Sequence, residues 1–272
     1  MLDKKRFYIL KANPYHDKLG KFTFKKMSGS TKSKSLKSIE IRNGTAKDGE
    51  QIAKNILGNS DHFYRVIKAF DTPNKFKGEL RSGVYQIVIN KEKQAIKYKG
   101  FVYDKNNNTV GEFIRTLSKN DLGSEMRHDA FVMYDTQGSG FGREFYRQSE
   151  ETYMSLGINR VSLEANLEVG GYAWARMGFD FDKPLDPIKA MEMEQKFMES
   201  YEERHGQFPS NDQVPQISKL KPWEIAALKI EGESEKDRIG KQLLLGSKWD
   251  GVKRLDKSDE GYQVGQMYYN SK

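Results

Sequence analysis

The 272-residue chain has no cysteine, which excludes disulfides, thiolate metal sites and a cysteine nucleophile, and suits a reducing compartment. Its four histidines, His16, His62, His128 and His205, are scattered, so no spacing points to a metal centre. No apolar run approaches the roughly 20 residues of a membrane span, and the first residues lack the apolar core of a signal peptide, so no membrane partner is expected. With 36% hydrophobic residues, the chain suits one good core with elaborations rather than two full domains.

Charge is present but unevenly placed. Residues 1–42 carry twelve Lys/Arg against three Asp/Glu, a net of +9, whereas the rest carries 34 basic and 35 acidic residues. The basic character is therefore local. Lys25 to Ser38 holds few apolar residues and predicts a partly flexible arm, either solvated or a tether to nucleic acid or another acidic surface.

Residues 45–70 show helical periodicity on two faces, one with Ile52, Ile56 and Leu57, the other with Phe63, Val66, Ile67 and Phe70, broken at Gly58 to Asp61. Val84 to Asn90, Gln94 to Asp104 and Thr109 to Leu117 predict three strands joined by polar turns, an antiparallel meander. A fourth strand is expected over Glu125 to Tyr134. Pro187 to Glu203 predicts a long helix whose Met191, Met193 and Met198 suit adaptable packing, and Pro222 opens another helix after a polar linker. Gly240 to Leu255 mixes an apolar triplet with Trp249 and glycines and is expected to pack back onto the main body.

The segment Gln137-Gly138-Ser139-Gly140-Phe141-Gly142 falls between the fourth strand and a helical stripe of Phe141, Phe145, Gln148, Thr152 and Leu156, which Gly157 stops. Glycines there let the backbone approach an anion, and the unpaired N–H groups of a first helical turn point at it. The loop is neither a Walker A motif, having no Lys-Ser/Thr pair, nor a Rossmann opening, because antiparallel strands precede it. A tight strand-to-helix turn is the plain alternative. Arg160 to Ala165 predicts the next strand, Asn166 to Gly171 a turn, and Tyr172 to Phe179 a short helix ending in Gly-Phe.

This order of strand, glycine loop, helix, strand and short helix resembles the GNAT superfamily of N-acetyltransferases over about residues 84–182. The resemblance implies that Gln137, Gly138, Ser139, Gly140, Phe141 and Gly142 hold the pyrophosphate of acetyl-CoA, used as cosubstrate. It also implies that the preceding strand splays from its neighbour, with Val132 and Met133 offering N–H or C=O groups to the thioester and pantetheine arm. Such amides stabilise charge developing on a carbonyl under direct amine attack. The family's tyrosine position is here Trp174, whose indole is no acid, and Tyr172, two residues earlier, is the candidate proton donor. Asn166 lies eight residues before Trp174 where the family has a spacing of seven. For a general base the strands offer Glu125, His128 and Glu164, with Asp129 beside them; Glu125 and Asp129 should face one way and His128 the other. The plain reading of these polar residues is a solvated strand edge.

Asn13-Pro14-Tyr15-His16-Asp17-Lys18-Leu19-Gly20-Lys21-Phe22 resembles a short segment recurrent in bacteriophage head-associated proteins, and equally fits plain turn chemistry clamped by Tyr15 and Phe22. The resemblance implies phage or prophage origin, with the protein in the host cytoplasm or packaged in a virion.

The sequence thus predicts a mixed α/β, mostly antiparallel twisted sheet flanked by helices, GNAT-like, at residues 43–186. A basic arm at 1–42 precedes it and a helical extension at 187–272 follows. The expected activity is acetyl transfer to an amine acceptor. The alternatives are a virion-associated structural or nucleic-acid-binding protein with the same fold and no transferase activity, or a module that holds CoA or another nucleotide without chemistry. A homodimer is compatible with either.

Overall fold

Between Leu80 and Met133, strand residues alternate between buried and part-exposed, the pattern of a sheet with helices on one face. The strands are β2 (Leu80–Asn90), β3 (Ala95–Asp104), β4 (Thr109–Asn120) and β5 (Gly123–Met133), paired antiparallel in sequence order. β1 (Glu40–Arg42) adds parallel to β2, and β6 (Arg160–Ala165) adds parallel to β5. β7 (Asp180–Phe181) and β8 (Trp249–Arg254) complete an order β1-β2-β3-β4-β5-β6-β8-β7, eight strands among the described residues. The computed structural model describes residues 39–70, 80–134, 140–165, 170–234 and 237–271, all within the unit 34–272. The architecture is the mixed, mostly antiparallel sheet flanked by helices that the sequence predicts.

Two segments form strands that the sequence reading does not name. β1 pairs with Gln86 to Val88 although Glu40 to Arg42 belong to the stretch read as a basic arm. β8 inserts between β6 and β7, so the segment Gly240 to Leu255, expected to pack back onto the main body, does so as a strand of the sheet. Its residues alternate, with Trp249, Gly251 and Lys253 buried and Asp250 and Arg254 exposed.

The helices are α1 (Ala46–Leu57), α2 (His62–Phe70), α3 (Phe141–Ser155), α4 (Gly170–Arg176), α5 (Pro187–His205), α6 (Pro222–Ala227), α7 (Ile239–Leu244) and α8 (Glu260–Asn270). Thr45 caps α1 reciprocally with Asp48: the Asp48 N–H donates to the Thr45 hydroxyl, and the Thr45 N–H donates to the Asp48 carboxylate at 2.7 Å. Gly58, at φ 79°, ends α1 where the sequence places the break. In α5 the buried residues are Ala190, Met193 and Phe197, whereas Met191 is exposed. The methionine stripe is therefore only partly a packing stripe.

Phe70 of α2 sits at the centre of the helical face. Its ring lies 5.9 Å from Tyr98 of β3, 5.3 Å from Phe113 of β4, and 6.4 and 6.2 Å from Phe145 and Tyr153 of α3. Truncating such a fully buried ring costs about 3–5 kcal/mol. Gly178 ends the α4 turn at φ 80°, and a Cβ there would lie 1.8 Å from the Gly261 carbonyl of α8. The Gly-Phe pair thus serves two needs, left-handed backbone at Gly178 and a buried ring at Phe179.

Candidate functional site

β5 and β6 pair from Glu125↔Arg160 to His128↔Leu163 and no further, although β5 continues to Met133 and β6 to Ala165. A bulge at Asp129 marks the parting, because Ile114 pairs with Ala130 while Arg115 pairs with His128. β6 pairs with β8 on its other edge along its whole length, from Arg160↔Arg254 to Ala165↔Trp249, so beyond the parting Glu164 and Ala165 stay in the sheet through β8 and not through β5. A cleft therefore opens between the two parallel strands.

The Tyr134 N–H donates to the Val110 carbonyl at 2.8 Å. Since antiparallel ladders alternate, the Val132 main chain shares that β4 side, and the amides of Phe131 and Met133 face the cleft. Of the two residues expected to meet a thioester through their backbones, Met133 lies on the cleft side and Val132 in the β4 ladder. Phe131 takes the second cleft position.

α3 begins at the cleft. Gly140, at φ 82°, sits in the N-cap position with no side-chain cap, leaving first-turn N–H groups to other acceptors. Phe131 stacks on Phe141 and Phe145 at 6.4 and 5.7 Å, tying β5 to the helix start. A Cβ at Gly142 would come 3.1 Å from the Phe131 ring, so glycine allows this close approach. Glu144, in the first turn, is held ionised by Arg147, which donates to it at 2.8 and 3.0 Å and offsets its charge. Gln137, Gly138 and Ser139 lie outside the described residues, as do Asn166 and the phage-like segment.

The candidate bases occupy three different settings. His128 is buried on the helical face, its Nε2 3.2 Å from the Tyr153 hydroxyl and its ring edge-on to Tyr146, Tyr153 and Trp174. Burial, and secondarily Arg115, hold it neutral well below the ordinary imidazole range. Glu125 faces the opposite side, accepting from Ser162 and from Asn120 at 2.6 Å, with the Arg160 guanidinium 3.5 Å away. It lines a polar cavity of about 400 Å³ with Arg127, Asp182 and Asp250. Glu164 is exposed and paired with Lys248 at 3.1 Å. Asp129 shares the face of Glu125, accepting from the Thr116 hydroxyl. The structure thus separates His128 from the carboxylates, as the alternation predicts.

Tyr172 stands in the first turn of α4, half-buried, and its hydroxyl accepts from the Arg176 guanidinium at 2.9 Å. Trp174 turns instead into the aromatic cluster, 5.6 Å from Tyr146 and 5.3 Å from Phe179. The two side chains leave α4 in different directions, so the indole is packing and the phenol keeps a polar setting.

One residue escaped sequence reasoning. Glu112 on β4 pairs with Val132, one strand from the cleft, and is half-buried. Burial pushes its carboxyl above the usual range, opposed by Lys99. The available signal was a single carboxylate in an otherwise apolar and small stretch, Thr109 to Ile114.

No protein-family model and no curated protein matches this chain. Among solved structures it is similar to nourseothricin acetyltransferase, at 18% identity over 32% of this chain and 51% of that one, with a TM-score of 0.28. A variant of the spermidine N-acetyltransferase SpeG from Vibrio cholerae is 18% identical over 32% of this chain and 52% of that one, TM-score 0.26. The GNAT family N-acetyltransferase YhbS from Escherichia coli, in complex with CoA, is 10% identical over 83% and 79%, TM-score 0.28. The first two likenesses span about half of those chains. The fold rests on strand register and element order. Among the described residues no helix is long and apolar enough to cross a membrane, and no cluster of metal-ligating side chains occurs.

Proposed function

We propose that this protein is an acetyl-CoA-dependent N-acetyltransferase that works by direct amine attack. The observation that carries the reading is the parting of β5 and β6 after His128↔Leu163 at the side where α3 begins uncapped at Gly140. Acetyl-CoA supplies an activated acyl thioester. The α3 N-terminus, uncapped at Gly140 and with Gln137 to Ser139 carried over from the resemblance, binds the diphosphate through backbone N–H groups. The Phe131 and Met133 amides on the cleft side orient the pantetheine arm and donate to the carbonyl oxygen as charge develops there. Tyr172 returns a proton to the leaving thiolate, with the Arg176 guanidinium facing the oxygen that gives it up.

A second reading, a CoA-binding module without transfer, draws on the packing of Trp174 against Tyr146, Phe179 and His128 at the family's tyrosine position. Release of free thiol from acetyl-CoA in the presence of a panel of primary amines tests the choice. Amine-dependent release, lost in Gly140→Asp, supports the transferase; saturable binding with no release on any amine supports the module.

A further inference from the structure

The C-terminal helix α8 lies against the end of α4 through glycines. Gly261 and Gly265 are buried one turn apart on one face of α8, and a Cβ at Gly265 would come 2.6 Å from the Met177 carbonyl. Tyr268, three residues further on, shares that face, so the close backbone approach fixes where its ring stands. The Arg176 guanidinium lies 4.7 Å from the centre of this ring, and its Nη1 donates to the Tyr172 hydroxyl at 2.9 Å. Arg143, in the first turn of α3, lies 5.4 Å from the same ring and donates to the Ser271 carbonyl at 3.5 Å. Among the described residues neither guanidinium forms an ion pair with a carboxylate. A long arginine side chain with no carboxylate to aim at is lost to rotamer freedom unless something else orders it, and aromatic faces hold guanidinium planes well. At Arg176 the Tyr268 ring supplies that order.

We propose that Tyr268 is a positioning residue for the transfer step: its ring holds the Arg176 guanidinium against the Tyr172 oxygen, so that the C-terminal helix completes the proton-donor site. This rests on the transferase reading for the role of Tyr172, but not for the coupling of Tyr268 to Arg176. In the step, the phenol O–H bond breaks, the S–H bond of CoA forms, and the electron pair stays on the phenol oxygen. The guanidinium faces the charge left there until the phenolate takes back the proton that the acylated nitrogen sheds. The face of the Tyr268 ring does the holding, not its hydroxyl, so phenylalanine serves in its place and an aliphatic side chain does not.

The test compares the full chain as wild type, Tyr268→Phe, Tyr268→Leu, Arg176→Gln and the double variant Tyr268→Leu, Arg176→Gln. Each is assayed for thiol release from acetyl-CoA with propylamine, putrescine and spermidine, and each is unfolded in denaturant. In Tyr268→Leu, kcat is expected to fall about tenfold with the KM for acetyl-CoA unchanged, while Tyr268→Phe stays within about twofold of wild type. Because Tyr268 acts through Arg176, the double variant is expected to be no slower than Arg176→Gln alone. A loss that adds to that of Arg176→Gln overturns the proposal, as does a raised KM at unchanged kcat, which would route the effect through Arg143 and the start of α3. The denaturation midpoints need no activity: shifts that fail to add across the two sites support the coupling, and additive shifts overturn it. If the wild type releases no thiol with any of the three amines, the transferase reading fails instead, and the midpoints still decide whether Tyr268 holds Arg176.

Discussion

The Lys253 ammonium of β8 meets the Glu150 carboxylate of α3 at 2.7 Å, with the two side chains 0% and 1% exposed. Lys253 also donates to the Met177 carbonyl at 2.8 Å, while Glu150 accepts from Tyr269 and Gln266 of α8, each at 3.1 Å. One pair thus joins the helix that opens the cleft, the late strand and the C-terminal helix. Burial weakens the hold of Lys253 on its proton, and Glu150 opposes this.

Removing one partner of such a pair leaves the other charge buried alone. Lys253→Met is expected to cost about 3–5 kcal/mol in chemical denaturation, and the double change Lys253→Met, Glu150→Leu to recover most of it. A double variant no better than the single would show that the pair is not what Lys253→Met disrupts.

His128 gives stability a pH dependence of known sign. Its folded pKa lies well below 6.5, chiefly through burial, so above that pH it is neutral in both states. Below it, the unfolded chain takes a proton that the folded chain refuses. Stability therefore falls with decreasing pH by up to about 1.4 kcal/mol per unit. His62, lowered by burial and Arg65, acts in the same direction, and Glu112, raised by burial, in the opposite one. Denaturation between pH 7.5 and 5.5 should show the decline in the wild type and a shallower one in His128→Gln; equal slopes would contradict the assignment.

Tyr172 is asked to supply one proton and little else. Tyr172→Phe should lower kcat about 100-fold and leave acetyl-CoA affinity unchanged, because the phenol lies outside the pyrophosphate and amide contacts. Equal loss of affinity would make it a binding residue, and no loss of either would send the proton elsewhere.

The sheet, the order of elements and the cleft-bearing strand were legible because alternation and turn chemistry are local. The buried stripe of α3 was legible only in part, at Phe141, Phe145 and Leu156. Apolar spacing pointed to Phe141, Phe145, Gln148, Thr152 and Leu156, whereas the helix itself buries Phe141, Phe145, Tyr146, Ser149, Glu150 and Tyr153. An inward glutamate becomes readable only with its partner Lys253, about a hundred residues later. The same pair hid β8, since Asp250, Lys253 and Arg254 mask its alternation with charges on both faces. Glu112 stayed hidden for a related reason, because only strand register shows that it adjoins Val132.

The most direct test of the account is calorimetric titration with acetyl-CoA at moderate salt, using desulfo-CoA and ATP as controls, on the wild type and on Gly140→Asp. Saturable one-to-one binding of both CoA compounds but not ATP, abolished by a carboxylate at the uncapped start of α3, is the predicted result. Absence of wild-type binding, or binding that survives Gly140→Asp, would contradict it.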